Sequence, residues 1–159
     1  MGRFRVEEAP VLVRAARVDT GLTQAELAGR VGIAQPILAQ IERGARAVSP
    51  EMLERILKAA DYRPSLALAA HAAAIRGIAL AHGLENLRVF GSVLTGSDGF
   101  HSDIDLFFTP RDGTDLFDVA LFCQAVGELT GFTVEAISDQ STAAQEGRLG
   151  DSLLEAVAL

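Results

Sequence analysis

The sequence predicts two joined domains, an all-α unit over residues 1–63 and a small α/β unit with a mixed sheet over 64–159. Three observations lead there. Helix start and stop signals repeat from Val11 to Asp61 without a convincing strand. Beyond Arg63-Pro64, short apolar runs suited to strands alternate with longer helix-forming stretches. The charge changes at the same place: residues 1–64 hold 10 Lys/Arg against 8 Asp/Glu, net +2, while residues 65–159 hold 4 against 13, net −9. Modules so unlike in charge should meet different partners, and the acidic one is ill suited to bind nucleic acid.

Composition removes several classes. Of 159 residues, 49% are hydrophobic, enough for a buried core and too many for a disordered chain. No run of about 18 apolar residues is free of charge, so no membrane partner is expected. The start, MGRFRVEEAP, has no apolar stretch, and Glu7-Glu8 argue against a targeting peptide. Cys123 stands alone and cannot form an internal disulfide, which fits a reducing cytoplasm. It reads as a small hydrophobe on a helix.

In the first unit, VLVRAARVD is helical up to about Asp19, and Gly21 is a natural stop. Thr23 can cap the next helix, with Glu26 three residues on closing a capping box. That helix, Gln24 to about Val31, ends at Gly32. IAQPILAQIERG starts another with Pro36 in its first turn and Gly44 at its end, and Ser49-Pro50 opens a last helix to about Ala60. Two short helices joined by a turn holding glycine are the helix-turn-helix plan. Leu27, Ile33, Leu38 and Ile41 are expected inside, leaving Gln35, Ile37, Ala39 and Gln40 toward the outer face. GLTQAELAGRVGIAQPILAQIERG resembles the XRE-type family, lambda-repressor/Cro-like, over roughly residues 9–62. The resemblance implies that the helix holding Gln35, Pro36, Ile37, Ala39 and Gln40 enters the major groove, with Gln24 also touching DNA. Glutamine can pair with adenine and Ile37 can meet a thymine methyl. Arg43 and Arg46 are candidates for phosphate contacts. A homodimer on a two-fold operator is expected. Ala34 stands where the family usually has a capping serine.

In the second unit, SLALAAHAAAIRGIALAHG is a strong helix former from Ser65 to about Ala81. Strands then follow at Leu87–Phe90, Ile104–Phe108 and Phe132–Ile137. Helices are expected at Asp115–Leu129 and from Thr142 to about Ala158. Phe107, Phe108, Phe117 and Phe122 read as core. His101 reads as a loop residue, and Ser97-Asp98-Gly99 as turn chemistry.

The stretch FGSVLTGSDGFHSDIDLFF carries the chemistry. Residues i and i+2 of a strand share a face, so Asp103 and Asp105 project together while Ile104 points inward. Paired carboxylates repel each other unless they are solvated or share a cation, and oxygen-only ligands favour magnesium or manganese. Gly91-Ser92 follows a short strand, where backbone amides and a hydroxyl can face a phosphate. Glu135 sits mid-strand between Val134 and Ala136, an odd place for an acid outside a site.

Gly91-Ser92, ten residues, then Asp103-x-Asp105 resembles the minimal nucleotidyltransferases of the DNA polymerase beta superfamily, over roughly residues 66–159. The resemblance implies metal-dependent transfer of AMP from ATP. Asp103, Asp105 and Glu135 would be catalytic and metal-binding, with Mg2+ or Mn2+, and Gly91 and Ser92 would hold the nucleotide. Thr95 stands where many relatives carry arginine. Such proteins often resemble antitoxins that modify a helical HEPN-type toxin, so the expectation is an antitoxin-like enzyme that also represses its own operon. The alternative is a transcriptional regulator whose second domain senses nucleotide or dimerises.

Overall fold

A computed structural model describes residues 2–159. The first half is built from helices defined by their ends. A 3-10 turn at Val6–Glu8 leads into α1 (Ala9–Asp19). α2 (Gln24–Val31) begins with the expected capping box: the Thr23 hydroxyl accepts the Glu26 N–H at 3.1 Å, and the Thr23 N–H donates to the Glu26 carboxylate at 2.7 Å. Gly32 closes α2 in the left-handed region, a conformation that suits glycine. α3 (Gln35–Glu42) carries Pro36 in its first turn, and α4 (Pro50–Ala59) is capped by Ser49. Their inner faces bury Leu27, Leu38, Ile41, Leu53, Ile56 and Leu57. At about 1.5–3 kcal/mol per buried aliphatic side chain, this burial rather than helix propensity holds the unit together.

The second half opens with α5 (Pro64–Ala81), followed by β1 (Leu84–Phe90) and the short α6 (Ser92–Thr95). Then come β2 (Ile104–Pro110), α7 (Leu116–Thr130), β3 (Val134–Ser138), α8 (Thr142–Gln145), α9 (Gly147–Glu155) and β4 (Val157–Ala158). The sheet order is β3-β2-β1-β4. β2 and β3 run parallel and the other pairs antiparallel, so the sheet is mixed, as expected.

The period of two divides the sheet. Ile104, Leu106 and Phe108 join Ile75, Ala79, Phe122 and Val126 in the main core, with α5 and α7. On the other face Phe107 stacks on Phe90, ring centroids 4.1 Å apart, roofed by Ala144, Leu149 and Leu153 of the C-terminal helices. α5 is long and apolar enough to suit a membrane crossing, with mean hydropathy 1.4 over 18 residues. Its Ala67, Leu68, Ile75 and Ala79 are instead buried in the main core.

Several sequence expectations need correction. Phe117, expected in the core, is 80% exposed. It lies five residues before the buried Phe122, which at 3.6 residues per turn is about 140° around α7. The single C-terminal helix expected to Ala158 is two helices, parted at Glu146, whose backbone is extended, and ending at Glu155. The chain end becomes an edge strand instead, Val157 opposite Val89 and Ala158 opposite Arg88. β1 begins at Leu84 rather than Leu87, passing a register shift between Glu85 and Arg88 where Asn86 takes a positive φ.

Candidate functional site

Two surfaces carry the residues singled out from the sequence. The first is the outer side of α2 and α3. Gln35, Pro36, Arg43 and Arg46 are exposed there, and Ala39 and Gln40 half-buried. Ile37 packs partly on the core, so it is less free than expected. A chain of hydrogen bonds presents this surface. Arg17 donates to Glu42 through Nε at 2.6 Å and Nη2 at 3.0 Å, Gln24 donates to the same carboxylate at 3.0 Å, and Gln35 donates to Gln24 at 3.0 Å. Burial works against the Glu42 charge, yet the hydrogen bonds from Arg17 and Gln24 hold its carboxyl below the ordinary range. The start of α3 is therefore oriented before any partner arrives. Ala34 makes no side-chain cap, so nothing local competes for Gln35.

The second surface is the far face of the sheet at the start of β2. The antiparallel register sets Phe90 opposite Asp105, and the parallel register sets Asp105 beside Glu135. Gly91 therefore lies next to Asp105. A Cβ on Gly91 would stand 2.2 Å from Asp105 Oδ2, and the residue has φ +71, so a side chain there would both strain the backbone and displace the carboxylate. Asp103 and Glu135 are exposed and Asp105 half-buried. Burial, then the charges of Glu135 and Asp103, push the Asp105 carboxyl above its ordinary value. Among the described residues no Lys or Arg forms an ion pair with any of the three acids. Ser92 opens α6, whose first N–H groups have no intrahelical partner. Thr95 turns its hydroxyl back to the Ser92 carbonyl at 3.2 Å and to Ser97 at 2.8 Å.

Comparison with known proteins agrees with this division. The helix-turn-helix family matches residues 13–66. A solved structure described as that of a candidate minimal nucleotidyltransferase aligns with 60% of this chain and 93% of its own, at 30% identity and a TM-score of 0.50. The chain belongs to the minimal nucleotidyltransferase family. An XRE-type helix-turn-helix domain precedes the nucleotidyltransferase fold. No curated protein matches the chain.

A divalent ion bound at these acids would meet oxygen donors alone. Among the described residues, no three His, Cys, Asp or Glu side chains are drawn into a ready-made metal cage. Magnesium does not require one, because it ordinarily takes one or two carboxylates and completes its shell with water and phosphate oxygens. The oxygen donors fit that chemistry: Asp105 lies against Gly91, Glu135 pairs with it from the adjoining strand, and Asp103 comes two residues before Asp105.

A groove of about 1180 Å³ lies elsewhere. It runs between the N-terminal arm and α7 and is lined by Phe4, Ile78, Cys123, Leu129 and Phe132 among others. Mostly apolar, it lacks the convergent carboxylates and turn that phosphate chemistry needs. Cys123, half-buried on its wall, has its thiol pushed up by burial.

Sequence reasoning missed the role of one residue in the loop before the acids. Asp98, read as turn chemistry, is 5% exposed and accepts the Ser65 N–H at 2.8 Å, capping α5 from a distance. The available signal was Arg63-Pro64-Ser65, a helix start without a local capping side chain. His101 is exposed and stands edge-on to Phe100.

Proposed function

We propose that this protein is a DNA-binding nucleotidyltransferase that moves AMP from ATP onto a partner protein and represses its own operon, in the manner of an antitoxin. The observation that carries the reading is the register placing Asp105 beside Glu135 and against Gly91, where a side chain would displace the carboxylate. Carboxylates left without a cationic partner, next to a backbone turn open to phosphate, suit a nucleotide brought in with its own metal ion.

In this reading the acceptor hydroxyl oxygen attacks the α-phosphorus of ATP. The bond from that phosphorus to the bridging oxygen breaks, and pyrophosphate leaves. Asp103, Asp105 and Glu135 would hold magnesium or manganese, which when bound would supply charge neutralisation at the phosphates. The Ser92 hydroxyl and neighbouring amides hold the outer phosphates, while Gly91 lets the backbone approach. Glu135, the exposed acid beside Asp105, takes up the acceptor's proton. On the helical domain, Gln24, Gln35 and Gln40 read base edges with Pro36, Ile37 and Ala39 alongside, and Arg43 and Arg46 hold phosphates. A homodimer in the cytoplasm meets a two-fold operator, and the AMP acceptor is a HEPN-type toxin.

The test incubates the protein with labelled ATP, magnesium and the product of the adjacent gene. Label should pass to that product. Absence of transfer, or equal transfer by the Asp103→Ala/Asp105→Ala double variant, ends the reading. One observation favours a second reading, a regulator that senses nucleotide without turnover. Residues 91–103 contain no Lys or Arg, and Thr95 is tied back to its own turn. That version predicts DNA binding altered by ATP with no pyrophosphate released.

A further inference from the structure

The loop from α6 to β2, residues 96–103, delivers Asp103, and residues outside the nucleotidyltransferase fold hold it. Both polar groups of Phe100 are taken. Its N–H donates to Asp61 Oδ1 at 2.8 Å, and its carbonyl accepts from Arg3 Nη2 at 2.9 Å. Arg3 also donates through Nε to the Gly131 carbonyl at 2.6 Å, so one guanidinium spans the loop and the turn before β3. Asp61 belongs to the end of the helical domain, where it takes φ +51. Asp98 of the same loop faces Arg63 Nη1 at 3.6 Å, and Arg63 grips Asp19 of α1 with bonds of 2.9 and 3.0 Å.

Packing around this clamp is close. The Arg3 guanidinium lies 4.3 Å from the Phe100 ring centre and 4.8 Å from those of Phe4 and Phe132. A Cβ on Gly131 would stand 2.4 Å from the Phe4 ring, and one on Gly99 would stand 3.2 Å from Asp61 Oδ1. Burial lowers the Arg3 pKa, and the charges of Glu54 and Asp103 oppose that shift, so the cation feels the site acid.

We propose that Arg3 is a positioning residue for the nucleotide site: with Asp61 it clamps the backbone of Phe100 and so sets where Asp103 stands. The proposal rests on the nucleotidyltransferase reading of Asp103. A loop without helix or strand keeps its shape only through such ties, since each freed residue regains backbone entropy. The nucleotide site is then complete only with the N-terminal arm and the helical domain in place. Arg3 acts through geometry. A planar guanidinium can serve two carbonyls at fixed angles, which an ammonium on a flexible stem cannot.

The experiment uses the full chain as wild type, Arg3→Ala, Arg3→Lys and Asp61→Gly. Glycine tolerates the positive φ at position 61, so that variant removes the acceptor without straining the fold. Calorimetric titration with Mn2+–ATP is paired with hydrogen exchange over residues 97–104. Arg3→Ala should bind about 10-fold more weakly, a size usual for coupling between sites, and exchange faster in that loop. Arg3→Lys should behave like Arg3→Ala, and Asp61→Gly should shift both readouts in the same direction. Full rescue by lysine overturns the clamp, because charge alone would then suffice. Wild-type affinity in all three variants overturns it too and leaves the nucleotidyltransferase reading standing. A wild-type protein that binds no Mn2+–ATP sinks that reading and the clamp with it.

Discussion

Two acidic side chains, one in each half of this protein, meet opposite surroundings. Glu42, in the helical half, receives hydrogen bonds from Arg17 and Gln24, and its carboxyl is held below the ordinary range. Asp105, in the α/β half, stands beside Glu135 near Asp103 without a cationic partner, and its carboxyl is pushed up. The first arrangement consumes its charge internally to fix a reading surface. The second leaves charge unsatisfied, which suits a site whose cation and phosphates arrive together. Similar carboxylates are thus neutralised internally in one module and left without a cation in the other.

Three substitutions would break or sharpen this contrast. The largest effect should come from Glu42→Ala, which leaves the Arg17 guanidinium, 16% exposed, without its partner. Removing one member of such a pair costs roughly 3 kcal/mol, read by denaturant unfolding, and Gln24 loses its anchor. A loss well under 1 kcal/mol would mean that the network is only a surface feature. Next is Gly91→Ala. Its methyl group collides with Asp105 Oδ2 at a positive φ, so roughly 2 kcal/mol should be lost together with nucleotide binding. Retained affinity in that variant would show that the close approach serves no purpose.

The smallest effect has the opposite sign. Asp105→Asn removes a charge that folding disfavours, so it should raise the unfolding midpoint by about 2 °C at neutral pH. A raised carboxyl pKa means the folded state binds protons more readily than the unfolded one. The charge costs stability above the folded-state pKa and nothing below the ordinary aspartate value. The advantage of asparagine should therefore be full at pH 7 and disappear as pH falls through that window. An Asp105→Asn protein less stable than wild type at pH 7 would contradict the account of an unsatisfied acid.

Much of this was legible because it depends on near neighbours in the chain. The Thr23–Glu26 box forms between the atoms its spacing requires, since a cap involves only four consecutive residues. The alternation through Ile104, Asp105 and Leu106 told core from site face before any partner strand was known. Phe117 misled because hydrophobicity was read without its angle around α7.

By itself, then, the sequence determined where α2, α3 and α4 begin, which domain precedes which, and that Asp105 lies on the sheet face opposite Ile104 and Leu106. Tertiary structure alone decided that Asp105 lies beside Glu135, that Val157 closes the sheet edge, and that Arg3 reaches Gly131 across 128 positions. Caps and strand periods are written in residues a few places apart. Register and remote hydrogen bonds arise only when burial of the shared core draws distant segments together, and no local pattern specifies which segments will meet.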